Sequence, residues 1–214
     1  MEPREFYDKT AGIYDLRHSS PATKLVRKKE EFLVRRFASG RVLDFGCGTG
    51  HHIQDGLIGL DISSKMLKMA RVKSKFLIQA NESLPIRSGS IDTIYCFFTV
   101  LNMVDSEKLA QEFFRVLKPG GRILLSVASI HDNHGKSHKS YRVSGSRLNL
   151  RLYKKTEIEN LFRDFSLEHF SSLFSITKPQ FGKFRINQID RFALLLDSLF
   201  TKVEGGMYLF VFKK

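Results

Sequence analysis

The chain has no tryptophan and only two cysteines, Cys47 and Cys96. Two thiols cannot form a disulfide framework, and neither stands at a spacing that holds zinc. No apolar run approaches the ~18 consecutive residues that a membrane span requires. Met1 to Arg17 mixes charges and has none of the apolar stretch of a secretory signal, so a cytoplasmic protein is expected. Acids are scarce: 22 Asp and Glu face 35 Lys and Arg, giving a net charge of +13 and a pI near 9.8. Such a balance favours anionic partners such as nucleic acid, nucleotides or acidic surfaces, or else is a solvated basic face. What the chain does hold is apolar bulk. Hydrophobic residues make up 42%, with 19 phenylalanines, enough for a phenylalanine-rich core in a single domain spanning all 214 residues.

The stretch Val42-Leu43-Asp44-Phe45-Gly46-Cys47-Gly48-Thr49-Gly50 organises the rest. An apolar run meets an acid, and glycines then alternate. A strand must end there and the backbone must turn tightly, with room for a ligand to approach the main chain. Leu57 to Asp61 is a second apolar run ending in an acid. Two strands with carboxylates at their C-terminal tips suit a nucleoside with a charged tail.

Periodicity places a helix over about Ala22 to Ala38, with Leu25, Phe32, Leu33 and Phe37 at helical spacing, stopped by Ser39-Gly40. Strands are expected over Arg41–Phe45, Leu57–Asp61, Lys75–Gln79, Ile91–Phe98 and Arg122–Ala128. The connection from His51 to Gly56 leaves room for little more than one helical turn. Ser63 or Ser64 caps a helix through Met66 and Leu67, and Asp105-Ser106 opens another with Leu109, Phe113, Val116 and Leu117 on its apolar face, ended by Lys118 to Gly121. Thr156 is expected to cap a helix through Leu161 and Phe162; Leu167–Phe174 reads as a strand, Ile189–Phe200 as a helix and Met207–Phe212 as the final strand. Strands alternating with helices at this spacing give an open α/β sheet, parallel in its first five strands.

These motifs resemble those of class I S-adenosylmethionine-dependent methyltransferases, the type 11 and quinone-biosynthesis enzymes in particular. Asp44 to Gly50 resembles the first motif and Asp61 the second acid. Leu84-Pro85 with Ile91-Asp92, and Arg115 to Gly121, resemble the segments leading into strands four and five. A dinucleotide-binding dehydrogenase competes weakly, because its fingerprint is GxGxxG and here the third glycine comes one residue early. The resemblance implies a Rossmann-like fold: a seven-stranded, mostly parallel sheet with an antiparallel last strand and helices on both faces. Residues 1–40 would form an N-terminal helical lid and 130–153 a basic insertion.

For the cofactor, S-adenosylmethionine, the resemblance implies that Gly46, Cys47 and Gly48 line the methionine portion with Asp44 beneath. Asp61 would accept from both ribose hydroxyls, Ile62 would pack on the adenine and Met66 would be a further adenine wall or core residue. In the Ala80-Asn81-Glu82 stretch, Asn81 and Glu82 stand where the family contacts the adenine amine. Cys96 and Phe97 would border the sulfonium, and Tyr14 would close over the methyl donor, with Tyr7 beside it. Cys96 as a thiolate nucleophile competes with a buried structural cysteine. His51 or His52, at the mouth of the site, is a candidate base or a solvated loop residue. Asn102 to Asp105 resembles the segment bordering cofactor and acceptor in quinone-biosynthesis C-methyltransferases, which makes Asn102 a candidate acceptor contact.

The acceptor itself has competing readings. Asn133 to Thr156 contains Lys136, Lys139, Arg142, Arg147, Arg151, Lys154 and Lys155, no acid, and the interleaved Tyr141 and Tyr153. Arg142, Arg147 and Arg151 with stacking aromatics point to RNA, tRNA first, and short segments near Tyr14 and Pro85 look like those of tRNA wobble-uridine methyltransferases. A small-molecule acceptor of quinone-precursor type is the alternative. The third is a non-catalytic cofactor-binding partner of another subunit.

Overall fold

The computed structural model describes residues 1–52, 57–71, 74–77, 84–133, 135–143, 145–175 and 203–214. In chain order the elements are α1 (Pro3–Thr10), α2 (Tyr14–Arg17), α3 (Pro21–Phe37), β1 (Val42–Phe45), β2 (Ile58–Asp61), α4 (Ser64–Met69), β3 (Ser74–Leu77), β4 (Ile91–Cys96), α5 (Ser106–Val116), β5 (Leu117–Ala128), β6 (His138–Val143), β7 (Ser146–Arg151), α6 (Lys155–Leu161), β8 (Ser166–Leu173) and β9 (Met207–Lys213). Seven strands form one sheet in the order β3-β2-β1-β4-β5-β9-β8. The pairs from β3 to β5 are parallel, whereas β9 runs antiparallel to both β5 and β8. The last strand alone is reversed, as expected. Strand order turns between β1 and β4, and in open sheets ligands bind outside the carboxyl ends of the strands at such a point.

Side chains of the central strands alternate between two apolar layers. Leu43, Phe45, Ile94, Leu125, Phe210 and Phe212 face α5 and α6, meeting Phe113, Val116, Ile158 and Phe162. Val42, Tyr95, Leu124, Leu209 and Val211 face Val26 and Leu33 of α3. Phenylalanines do much of the filling: Phe162 stacks on Phe212 at 4.9 Å, and Phe113 meets Phe45 edge-on at 5.5 Å. α3 starts where Ser20 Oγ accepts from the Thr23 N–H with Pro21 in the first turn. Ser63 caps α4 and Asp105 caps α5 in the same manner.

Three local expectations need correction. β5 begins at Leu117, not Arg122: Leu117 pairs with Ile91 and Arg122 with Thr93, so the Lys118–Gly121 turn is a bulge within the strand. α6 opens at Lys154, whose N–H donates to the Glu157 carboxylate at 2.7 Å, so Thr156 lies inside the helix. The basic insertion after β5, where no strand was expected, has regular structure. It folds into the β6–β7 hairpin, a separate two-stranded sheet. Val143, Leu148 and Leu150 form its inner face, packed on Phe6 of α1 and Ala128 at the end of β5. The His51–Gly56 connection beyond His52, residues 78–79 of strand three and the Ile189–Phe200 helix lie outside the described residues.

Candidate active site

The glycine loop closes on the neighbouring strand. Gly46 and Cys47 N–H groups both donate to Leu60 O, at 2.7 and 3.0 Å, and the Gly50 N–H donates to Cys47 O at 2.8 Å. Gly46 and Gly48 have φ of +77° and +53°, a region that side-chain-bearing residues avoid. A Cβ on Gly46 would also collide with the Val100 side chain. Asp61, at the tip of β2, then fixes the loop. Its Oδ2 accepts from the Gly48 N–H and its Oδ1 from the Ser63 N–H, both at 2.8 Å. Burial raises the Asp61 pKa, and these backbone donors hold it down only in part.

Around the loop lies a cleft with two ends. One is walled by Gly46, Gly48, Asp61, Ile62, Met66 and Val100. The other is walled by Arg27, Glu30, Asp44, Cys47, Thr49 and the two histidines, His51 and His52. Tyr14, Phe97 and Phe98 line both ends. Asp44 is only 4% exposed, and burial pushes its pKa up to about 7, aided by Asp61 and Glu30 and opposed by His52. His52 Nε2 lies 3.2 Å from Glu30 Oε2, while Ser126 Oγ donates to Glu30 Oε1 at 2.5 Å. Burial pulls the His52 pKa down, but the Glu30 hydrogen bond and charge outweigh it and leave it raised. His51 instead reaches Asp15, at 3.3 Å. Arg27 and Glu30 escaped sequence reading because they sit on the α3 face that otherwise buries Ala22, Val26 and Leu33. Their i, i+3 spacing is the signal that could have found them.

The N-terminal segment lies over this cleft, held by two acids. Asp8 Oδ1 accepts from Ser63 Oγ at 2.6 Å and from the Lys65 N–H at 3.2 Å. Asp15 Oδ1 accepts from Thr49 Oγ1 at 2.8 Å. Tyr7 donates to Met103 Sδ at 3.3 Å. Beyond Tyr7, Tyr14 and Phe98 opens a second chamber, lined by Phe6, Thr10, Arg17, His18, Asp132, Lys139, Tyr141, Leu148 and Leu150. Phe98 and Thr99, on the boundary, have φ of +55° and +69°. Non-glycine backbone in that region is strained and concentrates at functional sites. Phe98 is held there by its N–H donating to Ser126 Oγ at 2.6 Å.

The structure brings Tyr14, Asp44, Gly46, Cys47, Gly48, Asp61, Ile62, Met66 and Phe97 together at the cleft. Asn81 and Glu82 lie outside the described residues. Cys96 is fully buried in the layer facing α5, and burial pushes its thiol pKa far up, with Asp44 adding to the shift; a thiolate is disfavoured there. Asn102 is buried and spent on backbone: its Nδ2 donates to Ala128 O and Arg151 O, and its Oδ1 accepts from the Ala128 N–H. Arg142 and Arg147 face each other across β6 and β7 on the exposed side of the hairpin. Arg151 lies 4.8 Å over the Tyr153 ring, also outside the chamber.

Residues 43–125 match the family model described as a methyltransferase domain. An uncharacterized protein of Methanocaldococcus jannaschii is 37% identical over 137 residues, covering 62% of this chain and 54% of that one. A ubiquinone/menaquinone biosynthesis C-methyltransferase of Syntrophotalea carbinolica is 32% identical over 143 residues, covering 58% of this chain and 60% of that one. The chain thus spans 54% and 60% of the length of these two relatives. Among solved structures, an S-adenosylmethionine-dependent methyltransferase of Thermotoga maritima superposes with a TM-score of 0.67 at 19% identity, covering 98% of this chain and 99% of that one.

The cleft fits this cofactor on its own terms. The glycines leave open backbone where a Cβ would intrude, an acid stands at the second strand tip, and charges of both signs line the far end. Residues 43–125 thus resemble a methyltransferase domain, and the chain has the fold of that solved S-adenosylmethionine-dependent methyltransferase.

Proposed function

We propose that this chain is an enzyme that transfers the methyl group to a small acceptor with a flat, apolar body, bound in the chamber beyond Tyr7, Tyr14 and Phe98. One observation carries the reading. The chamber is lined by α1, α2 and the β6–β7 hairpin, is mostly aromatic and aliphatic, and shares Tyr7, Tyr14 and Phe98 with the cofactor cleft. Such a concave apolar space with a few polar groups suits a small molecule better than a polynucleotide. Relatives named for quinone biosynthesis accord with this.

In this reading Asp61 keeps its backbone donors and turns its remaining lone pairs to the ribose hydroxyls. Ile62 and Met66 would hold the adenine. Arg27 and Asp44 stand at the amino-acid end, where they match the α-carboxylate and the α-ammonium. S-adenosylmethionine supplies an electrophilic methyl group on a sulfonium. The residues of the chain contribute position, since in-line placement of donor and acceptor accounts for much of the rate gain. Tyr14 and Phe98 set that line and keep water out. The test pairs calorimetry of S-adenosylhomocysteine with incubation of labelled cofactor against extract fractions. Label should enter the small-molecule fraction; label confined to RNA would overturn the small-acceptor reading.

A second reading, RNA as acceptor, rests on the outer hairpin face, where Arg142, Arg147 and Arg151 are exposed together. It calls for steeply salt-dependent binding of bulk tRNA in a gel shift, and salt-independent or absent binding removes it.

A further inference from the structure

We infer that His18 and Asp132 are the polar contacts of the methyl acceptor: His18 Nε2 takes the proton of the hydroxyl that becomes methylated, and Asp132 Oδ1 holds a second hydroxyl of the same neutral molecule. The inference rests on the small-acceptor reading above and specifies it.

His18 follows α2 and is 7% exposed. Its Nδ1 lies 2.8 Å from Tyr14 O. A carbonyl only accepts, so Nδ1 carries the proton and Nε2 is the bare acceptor. The ring is wedged between Tyr14, at 4.1 Å, and Phe98, edge-on at 5.1 Å. Both are walls shared by chamber and cleft, so the imidazole stands at the junction where an acceptor atom would meet the methyl group. Burial pulls its pKa down to about 4, and Arg27, Arg17 and His51 press the same way, opposed by the Tyr14 carbonyl. The ring is therefore neutral across the physiological range. A weak base suffices, because the hydroxyl becomes strongly acidic only as its oxygen takes on the methyl group.

Asp132 also lines the chamber, its side chain 6% exposed. Lys139 Nζ donates to Oδ2 at 2.7 Å, whereas Oδ1 is buried with no hydrogen-bond partner among the described residues. A buried carboxylate oxygen left unpaired is costly, and on a residue that lines the chamber it is the atom that a ligand donor would satisfy. The chamber's charges select the kind of donor. Lys139 offsets Asp132, and Arg17, bonded to Tyr141 Oη at 3.0 Å with its guanidinium 5.2 Å from that ring, adds a positive charge with no ion-pair partner among the described residues. An ammonium is disfavoured beside it and a neutral hydroxyl is not.

The step balances with these groups alone. An oxygen lone pair of the acceptor forms the new O–C bond, the S–C bond breaks with its pair staying on sulfur, and the hydroxyl proton passes to Nε2. The imidazolium then releases that proton to solvent as the ether leaves.

The test uses the full chain loaded with S-adenosylhomocysteine and the probe 2,7-dihydroxynaphthalene, flat, neutral and twice hydroxylated. His18→Asn can still donate to Tyr14 O but has no Nε2, and Asp132→Asn keeps shape while presenting an amide. Each is expected to weaken the probe about tenfold, the scale of one lost hydrogen bond. S-adenosylhomocysteine affinity should stay within about twofold, which also reports folding. Nitrogen-15 NMR of labelled histidine should show His18 as the Nδ1–H tautomer, with Nε2 shifting when the probe binds. 1-Naphthylmethylamine should bind at least tenfold more weakly than the diol. Probe affinity unchanged in both variants, an equal affinity for the amine, or no probe binding to loaded native protein would overturn the inference while leaving the cofactor reading intact. Failure of S-adenosylhomocysteine to bind would instead remove the reading beneath it, and the inference with it.

Discussion

The glycine-loop cleft and the chamber proposed for the acceptor share Tyr7, Tyr14 and Phe98 as walls, yet they are built by opposite means. The cleft is made of backbone: glycines in left-handed conformation, N–H groups aimed at one carboxylate, strand tips fixed by the sheet. The chamber is made of side chains from segments that meet only in the fold. Arg17 bonds Tyr141 across 124 residues of sequence. A cleft of backbone can change little without losing its ligand. A chamber of side chains can be relined without moving the cleft, which is how one fold accommodates many acceptors.

Breaking Asp61 should separate the two regions most sharply. Asp61→Ala removes the acceptor of both the Gly48 and the Ser63 N–H groups. S-adenosylhomocysteine affinity is expected to fall by at least a hundredfold, about 3 kcal/mol by calorimetry, since hydrogen bonds to a charged group contribute about 1.5–3 kcal/mol each. An affinity within tenfold of native would show that the loop does not depend on its acid.

The converse variant is Leu148→Ala, which cuts a buried side chain from the chamber wall. It should lower stability in urea unfolding by about 2–4 kcal/mol while leaving cofactor affinity within about threefold. A loss of affinity as large as that of Asp61→Ala would mean that the two regions form one mechanical unit.

A pH series sharpens the contrast through its sign. Asp44, at the cofactor end, has its folded pKa raised from 3.8 to about 7, so its contribution to stability is full below about pH 4 and lost as pH rises through 7. His18, at the acceptor end, is lowered from 6.5 to about 4, and its contribution is present above pH 6.5 and lost as pH falls toward 4. Between pH 4.5 and 7 the two slopes oppose. Asp44→Asn should therefore steepen the rise of the melting temperature with pH, and His18→Asn should flatten it, each by a few degrees. Parallel shifts in both variants would contradict the assignments.

The smallest effect is expected at the exposed hairpin face. Arg147→Ala removes a side chain whose hydrogen bonds among the described residues reach only Ser140, so stability should move by less than about 0.5 kcal/mol and cofactor affinity not at all. Under the RNA reading alone, it should lower the salt slope of tRNA binding by about one.

What could be read in advance follows the same division. Asp44, Gly46, Gly48 and Asp61 lie in two short runs whose spacing is dictated by strand ends, so local sequence carries their geometry. The mostly parallel sheet and its reversed last strand came from the resemblance and the alternation of strand and helix, whereas the strand order emerged only in the fold. The hairpin went unread because lysine, arginine and serine obscure an alternation carried only by Leu148, Leu150 and Leu152. Glu30 reads as one more solvated charge on a basic helix, and only the fold turns it inward to Ser126 and His52. Asp132 gave no signal at all, because a lone aspartate in a loop becomes a site only when Lys139 and the chamber close around it.

The position of β9 between β5 and β8 has a consequence for how the chain is made. β8 pairs with β9 and with no other strand among the described residues. It leaves the ribosome first, yet it has no seat in the sheet until β9, some forty residues later, has docked on β5. Until then the apolar edge of β5 is open and β8 is an unattached strand, the arrangement most exposed to pairing with another chain. The half that carries the glycine loop, from β1 to β5, can assemble during synthesis. The sheet is closed only at the end.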